Sequence, residues 1–190
     1  MYIALVEDRD SDAETLSAFL TQYKNSHSPE LRFVRYDSGE AFLASAFEKF
    51  HLVFMDIYMG KMDGIETALQ ILEKNADCLI VFLTASREDI WRAVKVHVCF
   101  DYIEKKCLTY EKAEEVLNAA WKRLRFQAKV LEFYSGKQKI RLPLSKIQYL
   151  VSHDKHTFIM LENKHELRYR VTFSSLHSIL QKENRFLLCN

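Results

Sequence analysis

The sequence predicts an α/β chain: a doubly wound sheet of five parallel strands, followed by a small and mostly antiparallel β unit. Three observations carry this reading. Within residues 1–126, five short apolar runs are each followed by a segment with helical spacing, the grammar of strand–helix–strand units with right-handed crossovers. Beyond residue 126 that grammar gives way to short strands separated by turn residues. The charge divides at the same place. Residues 1–126 hold 16 Lys and Arg against 21 Asp and Glu, whereas residues 127–190 hold 11 against 5. Two units of opposite sign, 1–126 and 127–190, are therefore expected, and the basic one is a candidate for nucleic acid.

Composition narrows the class. With 48% hydrophobic and 13% aromatic residues the chain can build true cores, and four Gly and two Pro leave little for flexible linkers. No apolar run is long enough for a membrane span, and the N-terminus lacks the basic start of a signal peptide. Cys78, Cys99, Cys107 and Cys189 show no CxxC spacing and read as reduced thiols, which places the protein in the cytoplasm.

In chain order, Tyr2–Val6 reads as a buried strand tipped by Glu7 and Asp8. Ser11 with Glu14 matches a capping box, and Leu16, Phe19, Leu20 and Tyr23 make the inward stripe of the helix that follows. After a break at Asn25–Pro29 comes a strand at Leu31–Tyr36. A helix then carries Phe42, Leu43, Ala46 and Phe47 on one side. The central strand opens at Leu52 and ends on Asp56; its helix is capped by Asp63, with Ile65, Ala68, Leu69 and Leu72 inward. Cys78–Leu83 is the fourth strand, ending near Thr84, and Ser86 with Asp89 caps the helix around Ile90–Lys95. Cys99–Ile103 is the fifth strand, and Thr109 starts a long helix with Ala113, Val116, Leu117, Ala120, Trp121 and Leu124 inward. In the second unit, strands are expected at Val130–Tyr134, Lys139–Leu142, Ile147–Val151, Thr157–Leu161 and Leu167–Val171. A helix at Ser174–Gln181 and a strand at Phe186–Cys189 complete it.

Parallel strands present their C-terminal ends on one rim, where open α/β sheets bind ligands. Glu7, Asp8, Asp56, Thr84 and Lys105 all fall there, from four strands. Taken singly, each has an ordinary role as a turn residue, a strand end or a solvated charge; together they form a site. Carboxylates crowded this closely repel one another unless a cation joins them, and an all-oxygen set with room for waters suits Mg²⁺. Asp56 then reads as a nucleophile that takes a phosphoryl group. Lys105 and the Thr84 hydroxyl would meet the phosphoryl oxygens.

These residues resemble the receiver domain of bacterial two-component response regulators. The matching features are Glu7-Asp8, Asp56, Met59 and Gly64 in its loop, Thr84, and Asp101-Tyr-Ile-Glu-Lys105. The resemblance implies a flavodoxin-like fold and Mg²⁺ bound by Glu7, Asp8, Asp56 and the Tyr58 backbone carbonyl. It also implies a sensor histidine kinase as phosphoryl donor, with Thr84 and Tyr102 as the pair that repositions on phosphorylation. A homodimer formed on phosphorylation is expected through the face carrying Trp91, Tyr102 and Trp121. Gly60 stands where the family usually has Pro after Met59, and Lys106 where Pro usually follows the Lys. The second replacement weighs against a cis peptide after Lys105, since a non-proline cis bond costs about 2.5–4 kcal/mol.

The basic unit resembles the first part of a LytTR DNA-binding domain. The similar stretches are Ile147-Gln-Tyr-Leu-Val-Ser-His-Asp-Lys-His156, Ser174-Ser-Leu-His-Ser-Ile-Leu-Gln181 and Phe186-Leu-Leu-Cys-Asn190. That likeness covers about two thirds of such a domain, so a truncated unit is expected. It implies DNA contacts by His156, with Lys155 and Asn190 as further candidates; Lys155 suits phosphate and His156 a base edge or phosphate. A zinc site at His153, His156 and His165 lacks a fourth ligand of usual spacing and is set aside. The leading expectation is a phosphorylation-controlled transcription regulator. The alternative is a phosphoacceptor and protein-interaction switch whose output does not bind DNA specifically. An enzyme of the haloacid dehalogenase type is rejected, because Tyr58 occupies the place of its second Asp.

Overall fold

The computed structural model describes residues 1–60, 62–85, 89–95 and 97–181. They fall into two compact units, residues 1–121 and 122–190. In the first, strands β1 (Tyr2–Val6), β2 (Arg32–Tyr36), β3 (Leu52–Asp56), β4 (Leu79–Thr84) and β5 (Asp101–Glu104) make one parallel sheet in the order β2-β1-β3-β4-β5. Helices α1 (Asp10–His27), α2 (Gly39–Leu43), α3 (Gly64–Lys74), α4 (Ile90–Lys95) and α5 (Tyr110–Gln127) follow the strands in turn. This is the five-stranded, flavodoxin-like arrangement expected from the sequence.

The core strands are buried on both faces, as a sheet covered by helices requires. Every residue of β3 and β4 is buried. Alternation sends Ala4, Val6, Val53 and Met55 to one face, where they pack with Phe42, Phe50, Ile65, Ala68 and Ile71. Because β1 is flanked by β2 on one side and β3 on the other, the chain reverses its direction of travel across the sheet between them. That switch point opens a crevice at the C-terminal ends of β1 and β3.

Several helix details differ from the sequence expectation. Helix α1 begins at Asp10 after Arg9, with no side-chain cap. Ser11 lies inside the first turn and donates weakly to Asp12 Oδ1 at 3.5 Å, so the Ser11–Glu14 capping box does not form. Phe19 is half-buried, while Ala13 joins Leu16, Leu20 and Tyr23 in the buried stripe. Helix α2 is a single short turn capped by Ser38, and Phe47 sits in a separate 3-10 turn with Ala46 exposed before it. In α3 the stripe centres on Gly64, Ala68 and Ile71, which leaves Leu69 beyond its edge and 40% exposed. Ser86 lies outside the described residues.

Two features fix the start of α3 against the sheet. Asp63 caps it, accepting from Ile65 N at 2.9 Å and Glu66 N at 2.8 Å. Gly64 is required by close approach: a Cβ there would lie 2.0 Å from the Asp56 carbonyl oxygen. Gly60 takes φ 32°, which the fixed φ of Pro could not reach, so this loop departs from the proline-containing form. No described peptide bond is cis, that after Lys105 included.

The second unit has two small sheets. β6 (Val130–Ser135) and β7 (Gln138–Pro143) form one antiparallel pair. β8 (Ile147–His153), β9 (His156–Leu161) and β10 (Glu166–Tyr169) form the other, in the order β10-β9-β8. With α6 (Phe173–Leu180) they bury Leu131, Phe133, Ile140, Leu144, Ile147, Ile159, Leu176 and Leu180. Positive φ at Gly136 and Asp154 provides the tight hairpin turns. The strand expected at Phe186–Cys189 lies outside the described residues. No helix among the described residues is long and apolar enough to cross a membrane.

Asp63→Ala removes the α3 cap and is expected to cost about 1 kcal/mol at neutral pH. Burial acts to raise the Asp63 carboxyl, but the Glu66 and Ile65 amides and Arg92 outweigh it and hold it below the usual range. Its folded pKa is thus depressed, so its contribution is complete above about pH 4 and is lost as pH falls through the folded value. Urea unfolding of both proteins at neutral and acid pH should show the stability gap closing on acidification; a gap independent of pH would contradict the assignment.

Candidate functional site

The crevice between β1 and β3 collects charge. Glu7 and Asp8 follow β1, Asp56 ends β3, Thr84 ends β4, and Lys105 follows β5 directly. Main-chain contacts aim the acids. Arg9 N donates to Glu7 Oε1 at 3.2 Å, and Tyr58 N donates to Asp56 Oδ1 at 3.2 Å. Arg35 donates to the Glu7 carbonyl while pairing with Asp10, which ties the end of β2 to the same loop.

Lys105 is the hub. Its Nζ lies 2.7 Å from Glu7 Oε2, 2.8 Å from Asp56 Oδ2 and 3.0 Å from Asp12 Oδ2. Glu7 is completely buried and Lys105 is only 14% exposed, so solvent screens these pairs weakly. Burial acts to lower the Lys105 ammonium, but the bonds to Asp56, Glu7 and Asp12 outweigh it and raise its pKa well above the ordinary value. Burial pushes the Glu7 carboxyl up; its bond to Lys105 opposes the rise and the Asp56 charge adds to it. For Asp12, burial is outweighed by the bond to Lys105 and by the nearby Arg9, and the carboxyl is held low.

A divalent cation fits this set. Glu7, Asp8 and Asp56 each offer an oxygen, all within 4.8 Å of one another. Glu7 Oε2 is buried and has no well-directed hydrogen bond, although it lies close to the ammonium. Four carboxylates share the crevice with one lysine, which leaves an excess of negative charge. An all-oxygen donor set with Asp8 open to solvent matches the preferences of Mg²⁺, which keeps several of its waters.

The expected site residues Glu7, Asp8, Asp56, Thr84 and Lys105 thus meet at one rim. Tyr58 belongs to the loop beside Asp56, and Tyr102 lies on β5, 39% exposed. Two participants went unread in the sequence. Asp12, in the first turn of α1, joins the Lys105 cluster. Asp89, read only as a helix cap, is 4% exposed and accepts from the Tyr58 hydroxyl at 2.6 Å and from Thr84 Oγ1 at 3.3 Å. In the second unit, Lys155 and His156 sit together at the β8–β9 hairpin, Lys155 exposed and His156 half-buried. Asn190 lies outside the described residues. Among the described residues His153, His156 and His165 form no metal-binding group.

A family model of the response regulator receiver domain matches residues 3–118. The transcriptional regulatory protein RprY of Bacteroides fragilis is 37% identical over 99 residues, which span 50% of this chain and 40% of RprY. An uncharacterized response regulatory protein of Vibrio cholerae is 44% identical over 54 residues, 28% of this chain and 20% of that protein. The chain therefore matches less than half the length of either relative. Among solved structures, the N-terminal domain of a response regulator/sensory box/GGDEF protein from Carboxydothermus hydrogenoformans is 25% identical. It covers 66% of this chain and 97% of its own, with a TM-score of 0.55. A two-component response regulator from Clostridium difficile shares the fold at 20% identity and TM-score 0.56, covering 65% of this chain and 98% of its own.

Lys105→Met would strand buried carboxylates without their cation, and a loss of about 3 kcal/mol is expected. Urea denaturation measures it; an unchanged midpoint would mean that the lysine does not hold the cluster together.

Proposed function

Because the chain belongs to the response regulator receiver family, we propose that Asp56 accepts a phosphoryl group from a sensor histidine kinase and so controls a transcriptional output. The observation that carries this reading is the placement of Asp56 beside Lys105, with two further acids, Glu7 and Asp12, gathered around the same ammonium. An Asp56 oxygen attacks phosphorus, the bond to the donor imidazole breaks, and the leaving imidazole takes a proton. Lys105, already 2.8 Å from Asp56 Oδ2, is placed to turn to a phosphoryl oxygen as charge builds there. Thr84 supplies a hydroxyl donor from the adjacent strand. Mg²⁺, held by Glu7, Asp8, Asp56 and the Tyr58 carbonyl, would screen the incoming phosphoryl oxygens from the carboxylates. The protein on this reading is a phosphoacceptor that switches rather than an enzyme that turns over substrate.

The output follows from surface repacking. When Thr84 turns toward the phosphoryl group, space opens on the face where Tyr102 and the 69% exposed Trp91 lie, and that face becomes a dimer contact. The basic second unit, similar to a LytTR domain, would then meet DNA through the Lys155–His156 hairpin. Its charge gives a salt-dependent attraction to phosphates, and the binding expected of this 190-residue chain is weak, with little sequence preference.

Incubation with Mg²⁺ and acetyl phosphate should add one base-labile phosphoryl group per chain. Asp56→Asn, similar in shape but without the nucleophile, should take up none, and undiminished uptake would sink the assignment. Mg²⁺ should also raise the thermal stability of the wild type by mass action, and Asp8→Ala should lose most of that rise. A melting temperature indifferent to Mg²⁺ would count against the metal set.

A further inference from the structure

Asp89 stands outside the acid cluster around Lys105, yet it grips two elements of that site. Its carboxylate is nearly sealed from solvent at 4% exposure. Oδ1 accepts from the Tyr58 hydroxyl at 2.6 Å, and Oδ2 accepts from Thr84 Oγ1 at 3.3 Å. Arg92 NH1 lies 3.8 Å from Oδ1, and the same guanidinium reaches Asp63, the cap of α3. One side chain at the head of α4 thus connects the loop after Asp56, the end of β4 and the start of α3.

The two hydrogen bonds differ in strength. At 2.6 Å the phenol–carboxylate bond is short and charge-assisted, whereas 3.3 Å is long for a hydroxyl donor. A carboxylate has no proton to give, so both hydroxyls must donate to it. Thr84 has a single hydroxyl proton. While that proton points at Asp89 it cannot also serve a phosphoryl oxygen on Asp56.

We infer that Asp89 is a positioning residue that holds the Thr84 hydroxyl in the unphosphorylated arrangement, so that phosphorylation must win this proton from it. The inference rests on the reading of Asp56 as phosphoacceptor and of Thr84 as its hydroxyl donor. The firm bond to Tyr58 keeps Asp89 in place while the loose bond to Thr84 is released, which makes the exchange local and reversible. Because the bond is long, its opposition is modest. It tunes the occupancy of the switched state without blocking it.

The test is a double-mutant cycle on the full chain, titrating beryllofluoride at saturating Mg²⁺ and following tryptophan fluorescence. Asp89→Ala removes the acceptor. Asp89→Asn keeps the shape, and its amide can donate to Thr84 Oγ1, which frees the threonine proton; it serves if the alanine variant folds poorly. Either should bind beryllofluoride about three- to tenfold tighter than wild type, the equivalent of one modest hydrogen bond. In the Thr84→Val background the same Asp89 change should have no effect, because the proton in dispute is gone. Unchanged or weaker binding by Asp89→Asn overturns the inference. So does a gain that persists in the Thr84→Val background, since a general charge effect would survive there. A wild-type chain that binds no beryllofluoride would overturn the phosphoacceptor reading and this inference with it.

Discussion

One ammonium shared by three carboxylates is the constraint on which the rest of the first unit depends. Lys105 stands within 3.0 Å of Glu7, Asp56 and Asp12, which belong to the ends of β1 and β3 and the first turn of α1. Asp56 and Lys105 are far from Glu7 and Asp12 in the chain, and the strand order β2-β1-β3-β4-β5 brings these ends together. A buried ion cluster of this kind adds little net stability compared with well-packed apolar side chains of similar size. Its place at the edge of an otherwise apolar core therefore points to chemistry rather than to structural support.

The apolar core absorbs the cost of that arrangement and fixes its geometry. β3 is buried along its whole length, so Asp56 has little freedom to move with its strand. Gly64 lets α3 close against the Asp56 carbonyl, and Asp63 holds the helix start. Ile57 and Asp63 are thereby both held next to Asp56. On the other side of the rim, Asp89 ties Thr84 and Tyr58 to the head of α4. A change in charge at Asp56 would thus fall close to the hydrogen bonds of Tyr58 and Thr84 with Asp89.

Much of this was legible in the sequence, for identifiable reasons. Tyr2–Val6 and Leu52–Asp56 were read to the residue, because a fully buried strand is a short apolar run with a polar end. The rim site followed, since a parallel sheet sends all its C-terminal strand ends to one side. Helix termini were read less well. Ser11-x-x-Glu14 looked like a capping box, but α1 starts at Asp10 after Arg9, with no side-chain cap, and Ser11 falls inside its first turn. Asp12 and Asp89 were missed because Lys105 and Tyr58 lie 93 and 31 residues from them, and pattern within a window cannot report such pairings. Leu69 was misplaced because helical spacing gives a stripe's width but not its centre, which packing on the sheet decides.

The central claim is that Asp56, among several acids within reach of the same lysine, carries the phosphoryl group. Position can be read directly by trapping. After treatment with acetyl phosphate and Mg²⁺, borohydride reduces an acyl phosphate to the alcohol, converting the modified aspartate to homoserine. Mass spectrometry of the peptides then locates the change. The account predicts homoserine at position 56 alone, with Asp8 and Asp12 intact; conversion at Asp8 or Asp12, with Asp56 untouched, would contradict it.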